Sequence, residues 1–199
     1  MSEAGRHVSD RWAAWRRDID LGEYHERWRR MEASGVPSHG EADLIESLSP
    51  SSVLDAGCGM GRVAIELDRR GVDVEGVDLD ADLLAFAQAD APHLRWHHGD
   101  LASCDIGRTF GVVAMPGNVM LFCRPEQRGD IVANMARHLG PGGLLIAGFS
   151  LERRHDAITL DEYDRHCAAA GLSVFHRFAT WEGAAFEGGD YAVSVHLVG

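Results

Sequence analysis

The sequence predicts an α/β fold: a three-layer, doubly wound sheet of seven strands, mostly parallel, with an antiparallel C-terminal strand. From Ser52 onward, short apolar runs alternate with segments of helical spacing, the pattern of parallel strands joined by crossover helices. After the last helical segment two more apolar runs follow with only a loop between them, so they must pair antiparallel. A glycine cluster directly after the first run completes the picture. In sheets of this kind ligands bind beyond the carboxyl ends of the strands, where the strand order reverses.

The elements follow in order. Residues 9–31 have helical spacing, with Trp12, Trp15 and Ile19 on one face and Tyr24, Trp28 and Met31 on another. Gly35, Val36 and Pro37 end that helix, and Glu41–Leu48 forms a second, short one. Val53–Ala56 is a buried strand. Arg62–Arg70 is a helix carrying Val63, Ile65 and Leu67, and Gly71 ends it. Val72–Val77 is the second strand, Ala81–Ala89 the next helix, Leu94–His98 the third strand and Val112–Met115 the fourth. A helix opened by Pro125 runs to Leu139, before a fifth strand at Gly143–Phe149. Thr159 with Glu162 three residues later reads as a capping box for a helix that stops at Gly171. Leu172–Ala179 and Tyr191–Val198 are the closing pair.

Composition removes several function classes. The 199 residues suit one domain with a sizeable core, with no internal repeat or low-complexity tract. There is no Lys, so neither a Schiff base nor a Lys-containing phosphate loop can form. A net charge of −12 disfavours nucleic acid. Cys58, Cys104, Cys123 and Cys167 form no C-x-x-C pair and no secretory leader precedes them, which reads as reduced thiols in the cytoplasm. No apolar run approaches about 18 residues, so no membrane span is expected. His97 and His98 are adjacent on a strand and point to opposite faces, so no metal site is expected there.

Function has to come from the loops. The first strand runs through Asp55 into Gly57, Cys58, Gly59, Met60, Gly61 and Arg62, and a helix starts at once. Glycines let the backbone turn tightly and approach a ligand. A dinucleotide fingerprint would place a third glycine where Arg62 stands. An acid ahead of the loop suits a ligand carrying an ammonium and would repel a phosphate. Asp78, 23 residues after Asp55 at the end of strand two, is placed to accept from two ribose hydroxyls, with Asp80 capping the next helix.

These residues resemble the first motif of class I S-adenosylmethionine-dependent methyltransferases, over Val53–Arg62, and the resemblance extends in order and spacing across 52–199. It implies a Rossmann-like methyltransferase domain at 51–199 that binds S-adenosylmethionine. Asp55 would hold the cofactor's amino group and Gly57, Cys58 and Gly59 would lie along its methionine and ribose. Leu79 would pack on the adenine, Asp100 would accept from the adenine amino group with Leu101 beside it, and Met115 and Gly117 would line the methyl end. Met115, Pro116, Gly117 and Asn118 stand where relatives that methylate base amines carry a D/N-P-P-Y/F motif, which argues against that chemistry. Residues 1–50 are expected to be an N-terminal helical segment serving as lid or pocket wall. No catalytic base stands out; Tyr24, His25 and His39 are the candidates, and Glu41 can pair with Arg62. The expectation is in-line methyl transfer to a small-molecule acceptor. A non-catalytic cofactor-binding module, or a nicotinamide-dependent dehydrogenase, are the alternatives.

Overall fold

The computed structural model describes residues 8–34, 39–151 and 156–199. Its centre is one sheet built from β1 (Val53–Ala56), β2 (Val74–Asp78), β3 (Arg95–His98), β4 (Phe110–Met115), β5 (Leu139–Ser150), β6 (Leu172–Phe178) and β7 (Tyr191–Val198), in the order β3-β2-β1-β4-β5-β7-β6. β1 pairs parallel with both β2 and β4, and β7 runs antiparallel to β5 and β6. The strand order reverses between β1 and β4, so the crevice there opens at the end of the glycine loop.

Alternation along the strands sorts two apolar layers. Leu54 and Ala56 of β1 join Val113 and Met115 of β4 on one face, packed by α7 (Arg128–Arg137) and α8 (Leu160–Ala169). Val53, Val112 and Ala114 face the other way, onto α3 (Gly40–Ser47) and α4 (Arg62–Arg69). The register slips between Phe110 and Val112, which is why Phe110 shares a face with Val113. α5 (Ala81–Asp90) connects β2 to β3, and Asp80 caps it, accepting from the backbone N–H of Asp82 at 2.9 Å. Thr159 caps α8, its hydroxyl accepting from the Glu162 N–H at 3.1 Å, while the Glu162 carboxylate is taken by Arg128, so half of the expected capping box forms.

Four differences from the sequence reading have local causes. The long N-terminal helix is two, α1 (Asp10–Asp18) and α2 (Leu21–Ala33). Ile19 turns extended and the Asp20 carboxylate accepts from the Glu23 N–H at 2.9 Å, starting a new helix where the first stops. A one-turn helix, α6 (Val119–Phe122), follows β4; four residues are too few to show a helical period. Pro125–Gln127 is a 3-10 turn ahead of α7 rather than its first turn. β5 begins at Leu139, because the glycine-rich turn still pairs with β4. The break expected at Gly35, Val36 and Pro37 lies outside the described residues.

Candidate functional site

A cavity of about 360 Å³ opens at the crevice between β1 and β4. The glycine loop forms one side. Gly57 has φ +81°, and a Cβ there would sit 2.6 Å from Val119 Cγ2, so only glycine lets α6 come this close. Gly59, at φ +56°, would point a Cβ into open space, the arrangement of a backbone that a ligand approaches closely.

Asp55 stands beneath this loop, 1% exposed. One carboxylate oxygen accepts from the Ala64 N–H at 3.2 Å, at the start of α4, and the other, Oδ1, is buried without a partner among the described residues. Burial pushes the carboxyl up to about 7, against the lowering effects of the Ala64 N–H and the nearby Arg62 guanidinium. An acid in that state lacks the cation that would keep it ionised. Asp78 is also buried and also raised by burial, but both its oxygens are engaged, from Gly59 N–H at 2.7 Å and Asp80 N–H at 2.8 Å. It therefore clamps the glycine loop to the end of β2 and lines the cavity, and each oxygen keeps capacity to accept a further bond.

Leu79, Asp100 and Leu101 line the same cavity, as do Gly57, Cys58, Gly59 and Gly117. Asp100 braces its own turn by accepting from the Ala102 N–H at 2.9 Å. Nine of the ten residues singled out in the sequence thus share one space. Met115 does not: its side chain is fully buried in the core between β4 and the helices of one face. Alternation explains this, since a strand's last inward residue belongs to the sheet's packing rather than to the turn beyond it.

The remaining wall comes from the N-terminal helices. Trp12 and Trp15 of α1 and Tyr24 and Trp28 of α2 line the cavity beside Phe122 of α6. Trp15 meets Tyr24 edge-on at 5.9 Å and Phe122 at 5.9 Å, and Tyr24 meets Trp28 at 6.2 Å. Polar clasps hold these helices in place. Arg16 donates to Asp80 at 2.7 Å and to Asp82 at 2.6 Å, His25 contacts Asp90 at 2.6 Å, and the Ser9 hydroxyl donates to the Phe122 carbonyl at 2.6 Å. The anticipated Glu41–Arg62 pair is present, at 2.5 and 3.2 Å, with the guanidinium over the Trp28 ring at 4.6 Å. Of the three candidate bases only Tyr24 reaches the cavity. His25 is turned to Asp90 and Phe86, and His39 lies toward Glu66. Cys123 lines the cavity, but burial pushes its thiol up to about 12, so it stays protonated and is no nucleophile. His97 faces Glu75 while His98 faces the Leu79 carbonyl, so the two rings diverge.

α6, the 3-10 turn after it and the start of α7 supply wall residues that the sequence did not single out, among them Val119, Gln127 and Ile131. Their only signal was the glycine-asparagine pair that turns the chain after β4, with Asn118 at φ +64°.

A methyltransferase-domain family matches residues 53–143. A solved TehB-like S-adenosylmethionine-dependent methyltransferase from Corynebacterium glutamicum is 34% identical, superposes with a TM-score of 0.81, and is covered over 97% of its length by 89% of this chain. This chain belongs to the class I S-adenosylmethionine-dependent methyltransferases. Among curated members of the family, a dTDP-3-amino-3,4,6-trideoxy-alpha-D-glucopyranose N,N-dimethyltransferase of Streptomyces venezuelae is 36% identical over 108 residues, 53% of this chain and 46% of its own. The magnesium-protoporphyrin O-methyltransferase of Rhodobacter capsulatus is 32% identical over 99 residues, 47% of this chain and 43% of its own. The chain spans about half the length of the curated relatives it matches.

The family's cofactor fits the cavity on the structure's own terms. The orphaned oxygen of Asp55 wants a cation, the open space at Gly59 accepts a ligand against backbone, and among the described lining residues the only basic side chain is Arg62, already paired with Glu41. No helix among the described residues is long and apolar enough to cross a membrane.

Proposed function

We propose that this methyltransferase moves a methyl group from S-adenosylmethionine to a small-molecule acceptor by in-line substitution. The observation that carries the reading is Asp55, a buried carboxylate with an unpartnered oxygen facing a glycine-lined cavity. In this reading Asp55 holds the donor's ammonium and Gly57, Cys58 and Gly59 follow its chain. Asp78 accepts from the ribose hydroxyls, Leu79 packs on the adenine and Asp100 with Leu101 receives the adenine edge. Gly117 borders the methyl end; the fully buried Met115 shapes it from below through β4. When bound, the donor supplies an electrophilic methyl on a positively charged sulfur.

The chain's own part is to orient and to exclude water. In this reading α1 and α2 form the wall, or lid, on the acceptor side, and the aromatic rings there keep the reacting atoms dry and aligned. The net charge of −12 and the relatives' small-molecule acceptors both support a small acceptor rather than a nucleic acid.

Thermal denaturation with S-adenosylhomocysteine, S-adenosylmethionine and NAD tests the reading. A ligand at a hundred times its Kd adds about 2.7 kcal/mol of stability. Stabilisation by both sulfur cofactors and not by NAD is expected; stabilisation by NAD alone would overturn it.

A further inference from the structure

The cavity that would hold the donor has a distinctive chemistry on its other wall, and, resting on the methyltransferase reading, this names the acceptor's class. Every ring on that wall belongs to Trp12, Trp15, Tyr24, Trp28 or Phe122. Trp15 meets Tyr24 and Phe122, and Tyr24 meets Trp28, edge-on or tilted, and all of these rings line the cavity. Among the described residues the charged side chains that line the cavity are Glu41, Asp55, Asp78, Asp100 and Arg62, and the guanidinium is already engaged by Glu41. Aromatic faces attract cations through their quadrupole, and an excess of carboxylates adds to the attraction. The two arginines stacked on this wall, Arg27 at 5.0 Å from the Tyr24 ring centre and Arg62 at 4.6 Å from that of Trp28, show the same rings already serving cations.

Among the described lining residues the only cation an anionic acceptor could meet is Arg62, which Glu41 already holds in an ion pair. A carboxylate or phosphate would face three acids at the donor end and rings whose faces are negative. A hydroxyl acceptor would need a base, and Tyr24 is the only one of the candidate bases that reaches the cavity. An amine needs neither. It enters as an alkylammonium ion and gives its proton to water at the mouth. The neutral nitrogen's lone pair then forms the N–CH3 bond as the S–CH3 bond breaks, sulfur keeping that bond's electrons. The positive charge passes from sulfur to nitrogen, so the site holds one cation before and after transfer, and the product ammonium sheds a proton to solvent on leaving. Walls that stabilise a cation serve capture of the ammonium and the positive charge that develops on nitrogen during transfer.

We infer that the acceptor is an amine, bound as an alkylammonium ion against the rings of Trp12, Trp15, Tyr24 and Trp28. The test is calorimetric binding of tetramethylammonium chloride to the whole chain saturated with S-adenosylhomocysteine, against neopentyl alcohol as a neutral probe of similar shape and acetate as an anion. The cation should bind about tenfold more tightly than the neutral probe. Trp15→Leu should erase that preference and Trp15→Phe, which keeps a ring, should retain most of it. S-adenosylhomocysteine binding by each variant reports that the fold and the donor site are intact. If S-adenosylhomocysteine binds but the neutral probe or acetate binds as well as the cation, the inference fails and the methyltransferase reading stands. If S-adenosylhomocysteine does not bind the unaltered chain, the functional reading fails and the amine assignment falls with it.

Discussion

Asp55 should make donor binding proton-linked. Burial raises its carboxyl to about 7, while the ammonium proposed to sit against its orphaned oxygen requires the ionised form. Below that pKa each pH unit lowers affinity about tenfold, or 1.36 kcal/mol. S-adenosylhomocysteine should thus bind about a hundredfold more weakly at pH 5 than at pH 8. Titration calorimetry in two buffers of different ionisation enthalpy should count close to one proton released at pH 6. Asp55→Asn should flatten the profile. The same group governs the stability of the unliganded protein, and here the sign is the reverse of the usual carboxylate case. The folded form binds more protons than the unfolded chain between about pH 4 and 7, so stability falls as pH rises through that window. From pH 5 to pH 8 this amounts to about 2.6 kcal/mol, to which the raised Asp78 adds in the same direction. Equal affinity at pH 5 and 8 with no proton exchange, or an Asp55→Asn variant with the original pH dependence, would refute the reasoning.

Other perturbations follow from the same contacts. Asp78→Ala should abolish donor binding, and it should also cost about 2–4 kcal/mol of stability in urea denaturation. It strands the N–H groups of Gly59 and Asp80, so a loss of binding without loss of stability would mean the loop clamp is unimportant. Gly57→Ala should destabilise by about 1–3 kcal/mol and weaken donor binding, because the residue holds φ +81° and Val119 occupies the methyl's place; calorimetry on the purified variant measures both. Arg128, 2% exposed, donates to Glu162 at 3.0 Å and to the Asp156 carbonyl. Glu162→Ala should leave that guanidinium's charge buried without its carboxylate and cost about 3–5 kcal/mol by chemical denaturation.

The sequence alone determined the α/β order, the antiparallel closing strand and nearly all of the glycine-loop side of the cavity. These are local quantities. Period and run length follow from backbone geometry, and a loop such as Asp55–Arg62 has its shape dictated by its own glycines and the strand and helix that flank it. Caps were legible for the same reason, at Asp80 and Thr159; Asp20 with Glu23 carried the same signal within what reads as one continuous helical period. What only the tertiary structure decided depends on groups far apart in the chain. Burial, not spacing, raises Asp55 and keeps Met115 out of the cavity, and burial is a property of everything packed around a residue. The aromatic wall of the cavity is the clearest case. Trp15, Tyr24 and Phe122 meet because Ser9 bonds to Phe122 across 113 residues and Arg16 reaches Asp80 across 64, contacts that no local periodicity encodes.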